Sequence, residues 1–175
     1  DGGHYHSYIW LYYMTRFPNM PLRILNGGIG GDTAYDMNKR LDGDIFPMKP
    51  SVLMVTFGMN DSGYFEYNGD NPKEFGEQKY QESIKNYQQM EKRFKDLPDT
   101  RIVMVGTSPY DETVQLKENV PFKTKNETIK RIVEYQKESA AKNNWEFTDL
   151  NAPMVALNQQ NQQKDPAFTP VSYTH

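Results

Sequence analysis

Three short apolar runs punctuate the chain: LRILNGGIG at 22–30, SVLMVTFGMND at 51–61 and RIVMVGTSP at 101–109. Each is nearly continuous rather than alternating, and each closes on Gly, Asn, Asp or Pro. That pattern predicts strands buried on both faces, as in a parallel sheet. WEFTDL at 145–150 is a weaker fourth strand. Between the runs the apolar spacing turns helical. Residues 5–17 are dense in aromatic side chains and predict a largely buried helix. Ala34, Met37, Leu41 and Ile45 recur at helical spacing after Asp32 and Thr33, either of which can cap. Tyr80, Ile84, Tyr87, Glu91, Phe94 and Leu97 keep one stripe through a long helix. Thr124 and Glu127 have the spacing of a capping box ahead of Ile129, Ile132, Val133, Gln136 and Ala140.

Strands alternating with helices predict an α/β/α sandwich around a parallel sheet. Ligands in such folds gather at the C-terminal ends of the strands. Three segments are therefore expected on one rim: 26–33 (NGGIGGDT), 57–64 (FGMNDSGY) and 106–112 (GTSPYDE). No internal repeat is present, and NQQNQQK at 158–164 is too short for a low-complexity domain.

Composition narrows this picture by exclusion. The 175 residues suffice for one domain with its own core. Twenty basic and 23 acidic side chains give a net charge of −3, which is no electrostatic footprint for nucleic acid and offers no basic patch for a membrane. No apolar run approaches the ~18 residues of a bilayer span. With 0 cysteines, disulfides, cysteine–zinc sites and a thiol nucleophile are excluded, while the compartment stays open. Asp1 is not a natural start, so further residues are expected before it.

The motifs on the rim each carry two readings. NGGIGGDT fails as a dinucleotide fingerprint, because Thr33 stands where the last glycine belongs, and it lacks the Lys-Ser/Thr of a phosphate loop. Its glycines permit a tight turn, or let a backbone N–H face a developing negative charge. In FGMND, Asn60 and Asp61 satisfy a turn, or Asn60 aims across the rim a neutral amide that donates without surrendering a proton.

Taken together with the N-terminus, these blocks resemble the SGNH, or GDSL-type, hydrolase family. DGG at 1–3 is similar to the end of its G-D-S-[IL]-T-D-x-G block, Asn26 to Gly31 matches N-x-x-x-x-G, and Gly58 to Asp61 matches G-x-N-D. The resemblance implies a flavodoxin-like sheet of strand order 2-1-3-4-5, with the central first strand missing from this chain. It implies acyl-ester hydrolysis by Ser, His and Asp, with Gly31 N–H and the Asn60 amide in the oxyanion hole. Asp61 is expected to brace the loop. The implied substrate is a small ester such as an acetylated carbohydrate, with no cofactor or metal, and a secreted or periplasmic setting.

The departures matter as much. The nucleophile is expected three residues before Asp1. Ser62 and Ser108 are poor substitutes, since neither sits in a G-x-S-x-G elbow. His4 and His6 are expected to pack on the first helix. Tyr64, Phe65, Tyr67 and Tyr110 are expected either to stack on a sugar or acyl group or to pack ordinary loops. His175 fails the D-x-x-H block, because Ser172 precedes it by three and Asp165 by ten. VSYTH instead matches one reading frame of a transposase adapter (GTC TCT TAT ACA CAT). The domain is therefore expected to cover 1–169, with 170–175 as translated adapter and the chain as written inactive. A non-catalytic flavodoxin-like binding or carbohydrate-recognition module is the rival reading.

Overall fold

The computed structural model describes residues 5–115 and 121–169. His4, the glycines at 2 and 3, and the adapter-like 170–175 lie outside the described residues. The chain divides into two compact units, Asp1–Asp32 and Thr33–His175.

In the first unit, helix α1 (Tyr5–Arg16) forms where the aromatic run predicts it, but none of its residues is buried. Tyr8 is 70% exposed, and Trp10 and Leu11 also face solvent. The expected burial is therefore corrected: among the described residues of this short unit there is no second helix or strand to cover those rings. The strand expected at 22–30 is corrected as well, because the segment forms no ladder. A strand exists only through a partner that takes its backbone N–H and C=O groups. In the implied sheet order, 22–30 pairs only with the first strand, which no described residue supplies.

The second unit holds the sheet. Helix α2 (Ala34–Arg40) passes into a π-helical turn (Leu41–Ile45) and a 3-10 turn (Phe46–Met48), then strand β1 (Val52–Val55). A 3-10 turn (Phe65–Asn68) leads to α3 (Pro72–Lys95), β2 (Arg101–Gly106), α4 (Lys125–Lys142), β3 (Glu146–Asp149) and α5 (Asn151–Gln162). The three strands pair in parallel in the order β1-β2-β3, with Val52 opposite Arg101 and Val103 opposite Glu146. This is the predicted α/β fold, a parallel sheet flanked by helices. Its order matches the 3-4-5 side of the implied sheet.

Only the central strand shows the double burial read from the apolar runs. Ile102, Met104, Val105 and Gly106 of β2 are all buried. In β1 the burial alternates, and Val52 and Met54 are each 46% exposed. Among the described residues β1 pairs with β2 alone, so it behaves as a border strand. The core sits between the sheet and the long helices, built on Tyr87, Met90, Phe94, Met104 and Ile132. Half-buried Trp145 meets Phe94 edge-on at 6.1 Å between ring centres. Among the described residues, no helix is long and apolar enough to cross a membrane.

The helix starts show what local sequence can and cannot specify. Thr33 caps α2 in a full capping box: its Oγ1 accepts from Asp36 N–H at 3.4 Å, and the Asp36 carboxylate accepts from Thr33 N–H at 3.2 Å. Bonds to Thr33 hold the Asp36 carboxyl below its ordinary pKa. Thr33→Ala should lower stability by about 1 kcal/mol. Urea melts of wild type and variant check this, and coincident curves would contradict it. The capping box expected at Thr124 is corrected. Thr124 is left-handed at φ 69 and makes no side-chain cap. The Glu112 carboxylate takes that place, accepting from Thr124 N–H at 2.9 Å and Asn126 N–H at 2.6 Å. A charge at the positive end of a helix dipole is a stronger cap than a hydroxyl.

Candidate active site

The loop after β1 is the best-organised polar structure in the second unit. Gly58 opens it at φ +126, a conformation that L side chains rarely adopt. A Cβ there would lie 3.1 Å from Thr107 Cγ2 and 3.3 Å from Ile132 Cγ2. The turn closes through Ser62 N–H to Gly58 O at 3.0 Å and Gly63 N–H to Asn60 O at 3.1 Å. Ser62 is buried and its hydroxyl donates to Met59 O at 2.8 Å. It is a turn residue, in keeping with its poor sequence context for a nucleophile.

Asp61 is the hub of this loop. Its carboxylate accepts from Gly58 N–H at 3.0 Å, from Ala34 N–H at 2.9 Å and from Ser83 Oγ at 3.1 Å. Ala34 is the first residue of α2, so one carboxylate joins the loop to the positive end of α2 and to the side of α3. Burial raises the pKa of Asp61, and these three donors oppose that rise. The brace expected of Asp61 is thus present as hydrogen bonds.

Asn60 is half-buried, one residue before the hub. Its Oδ1 accepts from Tyr64 OH at 2.6 Å. Committing the oxygen to that donor sets which end of the carboxamide is which, and leaves Nδ2 as the donating end.

One face of α4 supports the loop from Phe57 to Gly63. Lys125, Thr128, Ile132 and Gln136 recur at helical spacing and are all buried. Gln136 Nε2 donates to Phe57 O at 3.1 Å, and Ile132 abuts Gly58. The Tyr67 hydroxyl bridges Ser62 O at 2.8 Å and Thr128 Oγ1 at 3.0 Å. Lys125 Nζ donates to Met59 O at 3.0 Å and to Gly63 O. The same ammonium sits 3.5 Å from the Tyr64 ring centre and 5.6 Å from that of Tyr110. Burial pulls its pKa from 10.5 down to about 7. Lys125 went unmarked in the sequence because a lysine at a helix start reads as a surface residue. The signal was Gln136, a polar residue inside an otherwise apolar stripe.

Of the four aromatic residues singled out, Tyr67 and Tyr110 are buried, with Tyr110 stacked on Phe122 at 5.5 Å. The Tyr64 ring is faced by Lys125, and Phe65 is 79% exposed against the edge of Phe122. Loop packing therefore accounts for all but Phe65. Among the described residues, no group of three or more His, Asp or Glu could hold a metal ion.

Gly31 belongs to the first unit. It has φ +88, with nothing within 4 Å of where a Cβ would stand. Asn26 closes its own turn, its Oδ1 accepting from Gly28 N–H at 3.0 Å. His6 is half-buried on α1, its ring edge-on to Tyr5 at 6.0 Å.

Comparison with known proteins places the chain in a family. A solved structure of a gut microbial diltiazem-metabolizing enzyme is 82% identical, with a TM-score of 0.94 over 97% of this chain and 38% of that one. An acetylxylan esterase of Geobacillus stearothermophilus is 30% identical over 60 residues, 34% of this chain. A solved structure of the acetylxylan esterase Axe2 from the same organism shares the fold at 20% identity, with a TM-score of 0.68 over 89% of this chain and 66% of that one. The matched segment spans 22% to 27% of the length of the curated relatives. The model of the GDSL-like lipase/acylhydrolase family matches residues 4–170, and the chain belongs to that family.

Proposed function

We propose that the protein carrying this chain is a serine esterase that stabilises a tetrahedral oxyanion with the Asn60 amide. The observation that carries the reading is the pairing of Asn60 with its supports. Tyr64 holds the carboxamide by its oxygen, and Asp61 ties the same turn to two helices. A donor fixed before the reaction needs no reorganisation when charge develops, which is how such a group lowers a barrier. In this proposal the serine nucleophile and its His/Asp pair come from outside residues 1–175.

The substrate class we propose is a small acyl ester, with O-acetylated carbohydrate as the leading candidate. Two lines support it: relatives described as acetylxylan esterases, and the exposed ring of Phe65 beside the Asn60 loop. A sugar face or an acyl chain can lie on such a ring.

The full-length protein should hydrolyse p-nitrophenyl acetate, be labelled by a fluorophosphonate at serine, and release acetate from acetylated xylo-oligosaccharides. Residues 1–175 alone should do none of these. No turnover and no labelling of the full-length protein would instead favour the binding-module reading. Turnover by residues 1–175 alone would place the nucleophile inside the chain.

A further inference from the structure

We infer that Lys125 is a positioning residue for catalysis, holding the Asn60 turn in register through two backbone carbonyls and the ring of Tyr64. The inference rests on the esterase reading and deepens it. Met59 O and Gly63 O bracket Asn60, one residue before and three after. A single ammonium group accepts the task of closing both ends of that turn. Its third neighbour is the face of Tyr64, whose hydroxyl donates to the Asn60 carboxamide oxygen. Lys125 therefore reaches Asn60 by two routes, through the backbone on both sides and through the residue that orients its side chain.

The burial of this group argues that packing alone does not explain it. Lys125 is 0% exposed, and a methionine would fill the same space at far lower desolvation cost. No carboxylate ion pair is formed by Lys125 among the described residues; its partners are neutral carbonyls and ring faces. Carbonyl oxygens accept from Nζ whether it is protonated or neutral, and the ring faces add attraction to the charged form. Lys125 touches no reacting atom in this scheme and acts only through Asn60.

The test is a double-mutant cycle in the full-length protein. Lys125→Met should lower kcat on p-nitrophenyl acetate by roughly 10- to 100-fold, the scale of a small misplacement of a catalytic group. KM should stay within about twofold, because the oxyanion exists only in the transition state. Active-site titration with the fluorophosphonate normalises kcat to folded enzyme, so a loss of folded protein alone would not move it. In an Asn60→Ala background, Lys125→Met should have no further effect on kcat. Equal losses in both backgrounds would overturn the inference while leaving the esterase reading intact. Failure of Asn60→Ala itself to reduce kcat would remove Asn60 from the oxyanion hole and overturn the inference with it, whereas absence of turnover by the wild-type full-length protein would overturn the esterase reading. Should Lys125→Met not fold, Lys125→Gln keeps an N–H donor for one carbonyl and should give an intermediate loss. Full activity of either variant, or failure of both to fold, assigns Lys125 a structural role only and overturns the inference.

Discussion

Asn60→Ala is expected to reduce kcat of the full-length protein on p-nitrophenyl acetate by about 10²–10³-fold, the usual effect of deleting one oxyanion donor. KM should change little, since the ground-state carbonyl carries no full charge to stabilise. The variant should fold, because Asn60 is half-buried and the bonds that close the turn do not depend on its side chain. Asn60→Asp is the sharper companion. It keeps an acceptor for the Tyr64 hydroxyl but replaces the donating end with a negative oxygen, and should be at least as damaging. Steady-state kinetics on both variants decide the matter, and a loss below about fivefold would remove Asn60 from the oxyanion hole.

The largest stability effect is expected at Asp61. Asp61→Ala strands the Gly58 and Ala34 N–H groups and the Ser83 hydroxyl, all buried. Each orphaned buried donor costs on the order of 1–3 kcal/mol, with some relief from water or repacking. The whole change should cost about 3–5 kcal/mol. Asp61→Asn should cost less, because an amide oxygen still accepts while its NH₂ group confronts one of the donors. Urea denaturation of residues 1–175 measures both. A loss under about 1 kcal/mol for Asp61→Ala would mean that the carboxylate does not hold the turn.

Most of the second unit was legible in the sequence because its signals are local or periodic. The stripe from Ile84 to Phe94 is buried along α3, and Thr33 caps α2 with its neighbour Asp36. Most of the failures involve partners that the local pattern does not contain. An apolar run does not say how many neighbours a strand has, so β1 and the segment 22–30 both read like β2. Thr124 and Glu127 had the right spacing, yet Glu112 from the preceding loop reached the helix end first. Helix α5 was not anticipated, because Asn158 to Lys164 offers no apolar stripe. It starts where the Asp149 carboxylate accepts from Asn151 N–H at 2.8 Å. The site divided the same way. Asn60 and Asp61 announced themselves in one short block, whereas Lys125 lies more than sixty positions away and meets them only after folding.

The two tryptophans of the chain give a consequence for spectroscopy. Trp10 faces solvent on α1, in the first unit, while Trp145 leans on Phe94 in the core of the second. Their emission should separate into a red-shifted, iodide-quenchable component and a blue-shifted, shielded one. The shielded component then follows the melting of the sheet unit alone, and the quenchable one reports the aromatic helix, from a single cuvette and without a label.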